Sequence, residues 1–290
     1  MKKNFLIFGT SSLIASKTIN FLKEKNFVKC YSSKDCNLLN QKQVKKVFQS
    51  LKKEFILIIF SSITKDKDSK KNFSKNLIMI KNIATHLNLR RIKKIIYISS
   101  VEVYGQRPIL PITEKTSINP RNLYGLAKYV SEQYLRLEVD EKKLLILRLP
   151  GYYGHGDMYH SVIGKFIKSA IKDKKIFISS SGRDLRDFLF VDDFPLILSN
   201  LINQKIFGVI NLVSGKSLSI MFIAKYISKL LKKKIKIYNK KNKNQKFSKF
   251  IFLKNKNFKN KKLYKFTNLE AGIRNYFNDL KIYFNSDIML

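Results

Sequence analysis

A tyrosine and a lysine four residues apart, Tyr124 and Lys128, form the pair in this sequence best suited to acid–base chemistry. They lie in NLYGLAKYVSEQYL, whose pattern is helical, so the spacing puts both side chains on one face. Tyrosine is a poor base at neutral pH because its ordinary pKa is about 10, and a neighbouring ammonium lowers that pKa by favouring the phenolate. The pair could therefore exchange a proton with a substrate oxygen. Taken alone, the spacing also arises by chance in a chain this rich in Lys and Tyr.

Polar residues follow the fourth predicted strand, in YISSVEVYG at residues 97–105. Open α/β sheets bind their ligands at the carboxyl ends of their strands. Ser100 is therefore placed to hydrogen-bond the substrate oxygen that Tyr124 handles. The alternative is that Ser99 and Ser100 only terminate the strand.

The first candidate strand runs into GTSSLIAS, residues 9–16, which suits either a dinucleotide-binding loop or part of a signal peptide. The signal peptide is disfavoured because its removal would delete a central strand and because Gly-Thr-Ser-Ser interrupts the apolar run. In a dinucleotide loop, Gly9 forms the tight turn and Ala15 allows close helix–strand packing. Ser12 stands where glycine is usual, and its Cβ intrudes on the pyrophosphate. We expect its hydroxyl to compensate in part, by capping the helix or bonding a phosphate oxygen.

The elements that position the candidate residues are predicted from apolar β-rich runs that alternate with helical patterns along the chain. Strands are predicted at 4–9, 27–31, 55–62, 93–100 and 143–150, with helices near 13–25, 41–53, 69–89 and 122–139. Apolar strands separated by helices predict a parallel sheet covered on both faces, which is a Rossmann-type doubly wound α/β fold. We expect a dinucleotide-binding domain at 1–150, with its core continuing in part to about 215.

The rhythm changes after residue 150. Shorter strands (IFISS, GVINLV, KIKIY) mix with helices near 161–173, 218–232 and 268–280. This pattern predicts a smaller C-terminal α/β region at 151–290 that binds mainly substrate. The Lys/Asn-rich stretch 232–262 is expected to be a mobile loop.

The formal net charge of +38 raises the question of nucleic-acid binding. Lys far outnumbers Arg, whereas phosphate recognition draws on the forked guanidinium of Arg, and the sequence has no nucleic-acid-binding motif. A solvated Lys-rich surface without a specific nucleic-acid partner is therefore favoured. No apolar run reaches the length of a membrane span, and Cys30 and Cys36 have neither disulfide-framework nor zinc-site spacing. We expect a cytoplasmic protein with no membrane contact and no metal.

A series of ordered motifs resembles the extended short-chain dehydrogenase/reductases, which form the NAD-dependent epimerase/dehydratase family. They are GTSSLIA, YISSVEVYG, LPITEKTSINPRNLYGLAKYVSEQYL, LRLPGYYGHGD, GRDLRDFLFVDD and INLVSGKSLSI. The final LYKFTNLEAGIRNYFNDL is similar to the family's C-terminal helix, so the resemblance covers nearly the whole chain. It implies an enzyme that uses NAD(H) or NADP(H) to move hydride at a carbon of a nucleotide-activated sugar, most often C4.

The resemblance also implies a catalytic set of Ser100, Tyr124 and Lys128. In the family, the Tyr exchanges a proton with a sugar hydroxyl, and the Lys binds the nicotinamide ribose and lowers the pKa of the Tyr. Arg186 matches the Arg that meets the nucleotide diphosphate, with a simple Arg–Asp ion pair as the alternative. Glu102 completes the expected substrate contacts. The expected cofactor contacts are Gly9, Ser11, Ser12, Leu13, Ile14, Ser32, Ser33, Lys34, Asn37, Leu38, Ser61, Asn76, Tyr124 and Lys128.

Some of these matches leave alternatives open. Asn76 falls where the family has an Asn that is either structural or close to the nicotinamide. Asn37 stands where Asp is usual in the segment that contacts adenine. Sugar 4,6-dehydratases read Thr-Asp-Glu where this chain reads Ser100, Val101 and Glu102. The general acid for loss of water is therefore missing, and a conventional dehydratase is not expected.

The end of the second strand bears on the choice of cofactor. NAD selectivity commonly uses an acidic residue there to bond the ribose hydroxyls. This chain has Ser32, Ser33 and Lys34, which suit the 2′-phosphate of NADP(H), although Asp35 is close enough to favour NAD(H). The sequence therefore predicts NAD(H) or NADP(H), with a slight preference for NADP(H).

The expected protein is a homodimeric nucleotide-sugar enzyme of surface-polysaccharide precursor synthesis. An epimerase would hold NAD tightly, whereas a reductase of the GDP-fucose synthase type would use exchangeable NADPH on a 4-keto sugar. Two other classes stay open: a catalytically silent relative that binds dinucleotide, and a nucleic-acid-binding protein. The retention of Ser100, Tyr124 and Lys128 together argues against a silent relative.

Overall fold

The computed structural model describes residues 2–64, 68–105, 108–157, 159–231, 235–239, 248–253, 255 and 264–287, the last seven by their backbone only. Much of the predicted loop at 232–262 lies outside the described residues. By its internal contacts the chain divides into two compact units. The first comprises 1–106, 116–149 and 195–212, and the second 107–115, 150–194 and 213–290.

Strands and helices alternate along most of the chain. In order, the strands are β1 (Asn4–Phe8), β2 (Phe27–Tyr31), β3 (Phe55–Ile59), β4 (Ile92–Ser100), β5 (Leu144–Leu149), β6 (Gly151–Tyr153), β7 (Lys175–Ile178), β8 (Leu185–Arg186), β9 (Phe188–Phe190), β10 (Gly208–Asn211), β11 (Leu218–Ser219) and β12 (Lys236–Asn239). The helices are α1 (Leu13–Lys23), α2 (Gln41–Gln49), α3 (Lys70–Thr85), α4 (Leu123–Glu138), α5 (Val162–Asp173), α6 (Phe194–Asn203), α7 (Ile220–Leu230) and α8 (Leu269–Asp287). Short 3-10 helices span Val101–Tyr104 and Val191–Asp193.

A six-stranded sheet forms the centre of the first unit, in the order β10-β5-β4-β3-β1-β2. All of its strand pairs are parallel. Every residue of β3 and β5 is buried, as expected for a sheet covered on both faces. The doubly wound α/β fold predicted from the sequence is confirmed.

The order of the strands creates a crevice for a ligand. β2 and β3 flank β1 on opposite sides, so the winding direction reverses there, and open sheets bind ligands at such a point. The carboxyl ends of β1 and β3 are level, with Phe8 opposite Ile59. Those of β4 and β5 are level as well, with Ser100 opposite Leu149. The residues that follow these strands therefore collect at one edge of the sheet.

Side-chain caps fix where the helices of this unit begin. Ser12, Asn40, Ser69 and Asn122 each accept a hydrogen bond from a backbone N–H in the first turn of α1, α2, α3 and α4. Such caps satisfy donors that the helix itself leaves unpaired.

Within its described residues, the second unit contains three short two-stranded sheets: β7 with β12, β6 with β9, and β8 with β11. Its core packs residues of α5, α7 and α8 against these strands, including Tyr153, Ile163, Ile176, Ile223 and Tyr276. The smaller C-terminal α/β region predicted from the sequence is confirmed. No helix among the described residues has both the length and the apolar composition that crossing a membrane requires.

Candidate active site

The first turn of α4 holds Tyr124 in place. Asn122 Oδ1 accepts a hydrogen bond from Gly125 N at 2.6 Å. Asp68 accepts two more, from Tyr124 N at 2.9 Å and from Leu123 N at 3.2 Å. Because these partners satisfy the N–H groups that open the helix, the backbone that carries Tyr124 is fixed from both sides.

Ser100 ends β4 and begins the 3-10 helix Val101–Tyr104. It is 9% exposed, and its Oγ accepts a hydrogen bond from Glu102 N at 3.2 Å. A hydroxyl that accepts one hydrogen bond still has its O–H to donate. Ser100 can therefore act as a donor to a substrate oxygen while it caps the 3-10 helix.

The 3-10 helix and α4 are linked directly, which ties Ser100 to Tyr124. Asn122 Nδ2 donates to Glu102 Oε2 at 3.0 Å. A Cβ on Gly125 would lie 2.8 Å from the carbonyl oxygen of Glu102, so only glycine allows this approach without displacement. Glu102, which the sequence analysis placed in contact with substrate, thus holds the start of α4.

Lys128 lies one turn after Tyr124 and is 3% exposed. Its Nζ donates to the carbonyl oxygen of Ile98 at 2.7 Å, and it lies 5.0 Å from the ring centre of Tyr97 and 5.8 Å from that of Tyr124. Burial lowers the pKa of Lys128 to about 7, against an opposing effect of the Glu132 carboxylate. A lysine that titrates near neutral pH beside a tyrosine is suited to proton chemistry.

The turn after β1 fits a dinucleotide. Gly9 has a φ of +87°, and a Cβ there would lie 2.4 Å from the backbone nitrogen of Ser61, so the turn packs tightly on the end of β3. The Ser61 hydroxyl oxygen is buried and has no hydrogen-bond partner among the described residues. Ser12 caps α1 by accepting from Ala15 N at 3.3 Å, with a φ of −79° that any residue adopts. A helix N-terminus beside this turn is a typical place for a pyrophosphate.

The end of β2 is organised by Asp35. Its Oδ2 accepts from Ser32 N at 2.8 Å and from Ser32 Oγ at 2.6 Å, and these two hydrogen bonds lower the pKa of Asp35. Ser33 and Lys34 are exposed beside it. The β2 end therefore presents a carboxylate as well as the hydroxyls and cation that the sequence analysis singled out.

Other predicted cofactor residues have partners within the fold. Asn76 is buried and pairs with both backbone groups of Ile63, at 2.7 Å and 3.1 Å, which supports the structural alternative for this residue. Asn37 Oδ1 accepts from Leu39 N at 3.0 Å. Ile14 and Leu38 are buried in the core, whereas Ser11 is exposed in the turn and Leu13 is partly buried.

Arg186 lies in the second unit, where protein groups surround its guanidinium. Its Nη1 donates to the carbonyl oxygens of Leu185 and Ser248, and its Nη2 donates to Ser248 Oγ at 2.6 Å. The guanidinium also lies 4.7 Å from the ring centre of Phe250 and 3.9 Å from Asp184. The ion pair named as the alternative is thus present, and contact with a diphosphate stays a prediction.

A set of polar residues that was not predicted from the sequence is buried around Glu132, one helical turn after Lys128, and we call it the buried polar cluster. Its members are Ser99, Tyr104, Glu132, Arg148 and Asn211, each at most 4% exposed. One signal was available: Arg148 interrupts the otherwise apolar strand LLILRL, and a charge in such a strand needs a buried partner.

Comparison with known proteins shows which family the chain belongs to. The model of the NAD dependent epimerase/dehydratase family matches residues 5–212. A putative UDP-glucose 4-epimerase of Methanocaldococcus jannaschii is 33% identical over 147 residues, 48% of this chain and 47% of that protein. A dTDP-D-glucose 4,6-dehydratase of Dictyostelium discoideum is 27% identical over 71% of this chain and 50% of that protein. Other relatives include a dTDP-4-dehydro-6-deoxyglucose reductase.

The matches to these relatives span about half of their length. Among solved structures, UDP-glucose 4-epimerase of Thermotoga maritima with UDP-glucose is similar, with a TM-score of 0.85. It is 18% identical, with 97% of this chain and 99% of that chain covered. At this identity, the likeness supports the fold.

Proposed function

The chain belongs to the NAD dependent epimerase/dehydratase family, and on that premise we propose that it epimerises a nucleotide-activated sugar at C4. The observation that carries the proposal is that Tyr124 and the buried Lys128 share one face of α4. Ser100 ends β4 and caps the 3-10 helix that is hydrogen-bonded to the start of α4. The name of the Methanocaldococcus relative supports an epimerase.

In the proposed mechanism, the protein's residues move one proton between the sugar hydroxyl and Tyr124. When bound, the dinucleotide supplies the acceptor and donor of hydride. Tyr124 takes the proton from the sugar hydroxyl as the carbon is oxidised and returns it as the carbon is reduced. Ser100 donates a hydrogen bond to the same oxygen. Lys128 has three donors as an ammonium, of which Ile98 takes one, so it can stabilise the Tyr124 phenolate and bind the cofactor ribose with the others.

Loss of water distinguishes a dehydratase from an epimerase, since both reactions return the hydride to the sugar. Elimination of water needs a general acid beside the base, and the position after Ser100 carries the buried, apolar Val101. The Glu102 carboxylate accepts from Asn122 at the start of α4. We therefore propose that this chain differs in reaction from its relatives that are named dehydratases.

We propose NAD(H) as the cofactor, against the slight preference for NADP(H) that Ser32, Ser33 and Lys34 suggested. The Ser32 hydroxyl donates to Asp35, and the Asp35 carboxylate would repel a 2′-phosphate at this strand end. A 4-keto-sugar reductase is the second candidate, because the exposed Ser33 and Lys34 suit NADPH. The homodimer and the cytoplasmic location stay predictions from the sequence.

Two measurements test the proposal. Mass spectrometry of small molecules released by denaturation should find NAD, and NADP as the sole dinucleotide would favour the reductase. Proton NMR should then follow UDP-glucose, UDP-N-acetylglucosamine and a dTDP-4-keto-6-deoxy sugar incubated with the protein. Formation of a C4 epimer supports the proposal. Net reduction of the keto sugar with NADPH, with no epimer from the other two, would overturn it.

A further inference from the structure

The buried polar cluster joins five elements at the edge of the sheet that carries the catalytic set. Arg148 of β5 donates to Glu132 of α4 through Nε at 3.0 Å and through Nη2 at 2.6 Å. Its Nη1 donates to the Tyr104 hydroxyl at 2.8 Å, and that hydroxyl donates to Asn211 of β10 at 2.8 Å. Ser99 of β4 donates to the Glu132 Oε1 that also accepts from Arg148.

We propose that Glu132 and Arg148 form a positioning pair whose two-pronged contact sets the Lys128 turn of α4 against the Ser99–Ser100 end of β4. Glu132 follows Lys128 by one helical turn, and Ser99 precedes Ser100 directly. A change in the orientation of the Glu132 carboxylate would therefore move both Lys128 and Ser100, two of the three residues of the catalytic set. The inference deepens the proposed function, because it concerns the same site.

Stability alone is a poor explanation for this pair. Removing two charges from water is costly, and well-packed apolar residues in place of a buried ion pair are often neutral or stabilising. A planar guanidinium that binds both carboxylate oxygens does, however, fix direction as well as distance. The three strand members, Ser99, Arg148 and Asn211, lie at or next to the carboxyl ends of their strands, which is where ligands bind and such direction matters.

The pair also acts on the charge of Lys128. Besides the Ile98 carbonyl, the titratable groups that face Lys128 among the described residues are the Tyr97 and Tyr124 rings and the Glu132 carboxylate. Of these, Glu132 is the one that raises the pKa of Lys128, in opposition to burial. Arg148 holds that carboxylate in a fixed direction, so the charge of Lys128 depends on Glu132, a fully buried group outside the catalytic set.

The test measures the titration of Lys128 in the protein without substrate, so its outcome is independent of the proposed reaction. In protein labelled with ¹³C-lysine, most ε-carbon signals titrate near pH 10.5, the ordinary lysine value. Lys128, with a pKa near 7, and Lys94, with a pKa near 8, should titrate at lower pH than the other lysines. The variants Lys128→Met and Lys94→Met assign the two signals.

Glu132→Gln keeps the shape of the side chain and removes its charge. We expect it to lower the midpoint of Lys128 by about one pH unit. The midpoint of Lys94, which donates to Leu201 and Gln204 and serves as the internal control, should not move. Steady-state kinetics should show a larger fall in kcat than rise in KM.

A second variant guards against failure of the first to fold. Glu132→Met with Arg148→Met removes both charges together and should fold, because apolar residues tolerably replace a buried ion pair. It should also lower the midpoint of Lys128. An unchanged midpoint in a folded variant would overturn the proposal, and so would failure of both variants to fold, because the pair would then be required for the fold itself.

Discussion

At the scale of single residues, the central feature is a lysine whose charge the fold disfavours. Lys128 is almost fully buried, and its pKa falls from the ordinary 10.5 to about 7. Below pH 7 the folded and unfolded states both carry the proton, so the fold bears the whole penalty of a buried charge. Between pH 7 and 10.5 the folded state has released the proton, and the penalty declines.

Replacement of this residue should leave a pH-dependent signature in stability. Lys128→Met removes the penalty, so the unfolding free energy of the variant relative to the natural protein should be highest below pH 7. The difference should fall by about 1.4 kcal/mol per pH unit up to pH 10. Urea unfolding at a series of pH values measures it. Lys81→Met, at an exposed position of α3, is the matched control and should show a flat difference. A flat difference for Lys128→Met would show that Lys128 is not perturbed.

At the scale of elements, Ser12 at the start of α1 has two effects that variants can separate: its hydroxyl caps the helix, and its Cβ lies beside the expected pyrophosphate. Ser12→Ala and Ser12→Gly both remove the hydroxyl that accepts from Ala15 N, and the Ala change should cost about 1 kcal/mol of stability. Only the Gly change also removes the Cβ beside the expected pyrophosphate. Calorimetric titration with NAD⁺ and NADP⁺ should therefore give a lower Kd for Ser12→Gly than for the natural protein. Equal affinity for both variants would show that the Cβ does not obstruct binding.

The same elements show what could be predicted from the sequence. Strands such as FILII and helices with apolar stripes carry their signal locally, so most predicted segments agree with the observed bounds to within about four residues. The helix predicted at 268–280 was too short, because α8 continues to Asp287, and α6 was not predicted. Gly9 could be predicted as a cofactor-loop residue, and Tyr124 with Lys128 as a catalytic pair, because each prediction rests on spacing within a single segment. The links from Asp68 to Tyr124 and from Arg148 to Glu132 join distant segments through tertiary packing, which periodicity does not encode. The hydrogen bond from Ser32 to Asp35, which places a carboxylate at the end of β2, depends on a turn geometry that the sequence does not specify.

At the scale of the whole molecule, the net charge of +38 predicts nonspecific attraction to nucleic acid, which must be distinguished from a nucleic-acid-binding function. Lys-rich surfaces bind nucleic acid without sequence preference, and such binding weakens steeply with salt. We expect fluorescence anisotropy to detect binding to a labelled DNA duplex at about 20 mM NaCl and none at about 200 mM. Retention of submicromolar affinity at the higher salt concentration, or a preference among sequences, would favour the nucleic-acid-binding class.

The most direct test of the account is the separation of turnover from cofactor binding by Tyr124→Phe. The variant lacks only the hydroxyl that exchanges the proton, so with the sugar that the natural protein converts, kcat should fall by about 10²-fold or more. Its Kd for NAD⁺ should stay within about threefold of the natural value. Tyr129→Phe on the same helix is the control and should keep the kcat and the Kd for NAD⁺ of the natural protein. Full turnover by Tyr124→Phe would contradict the account.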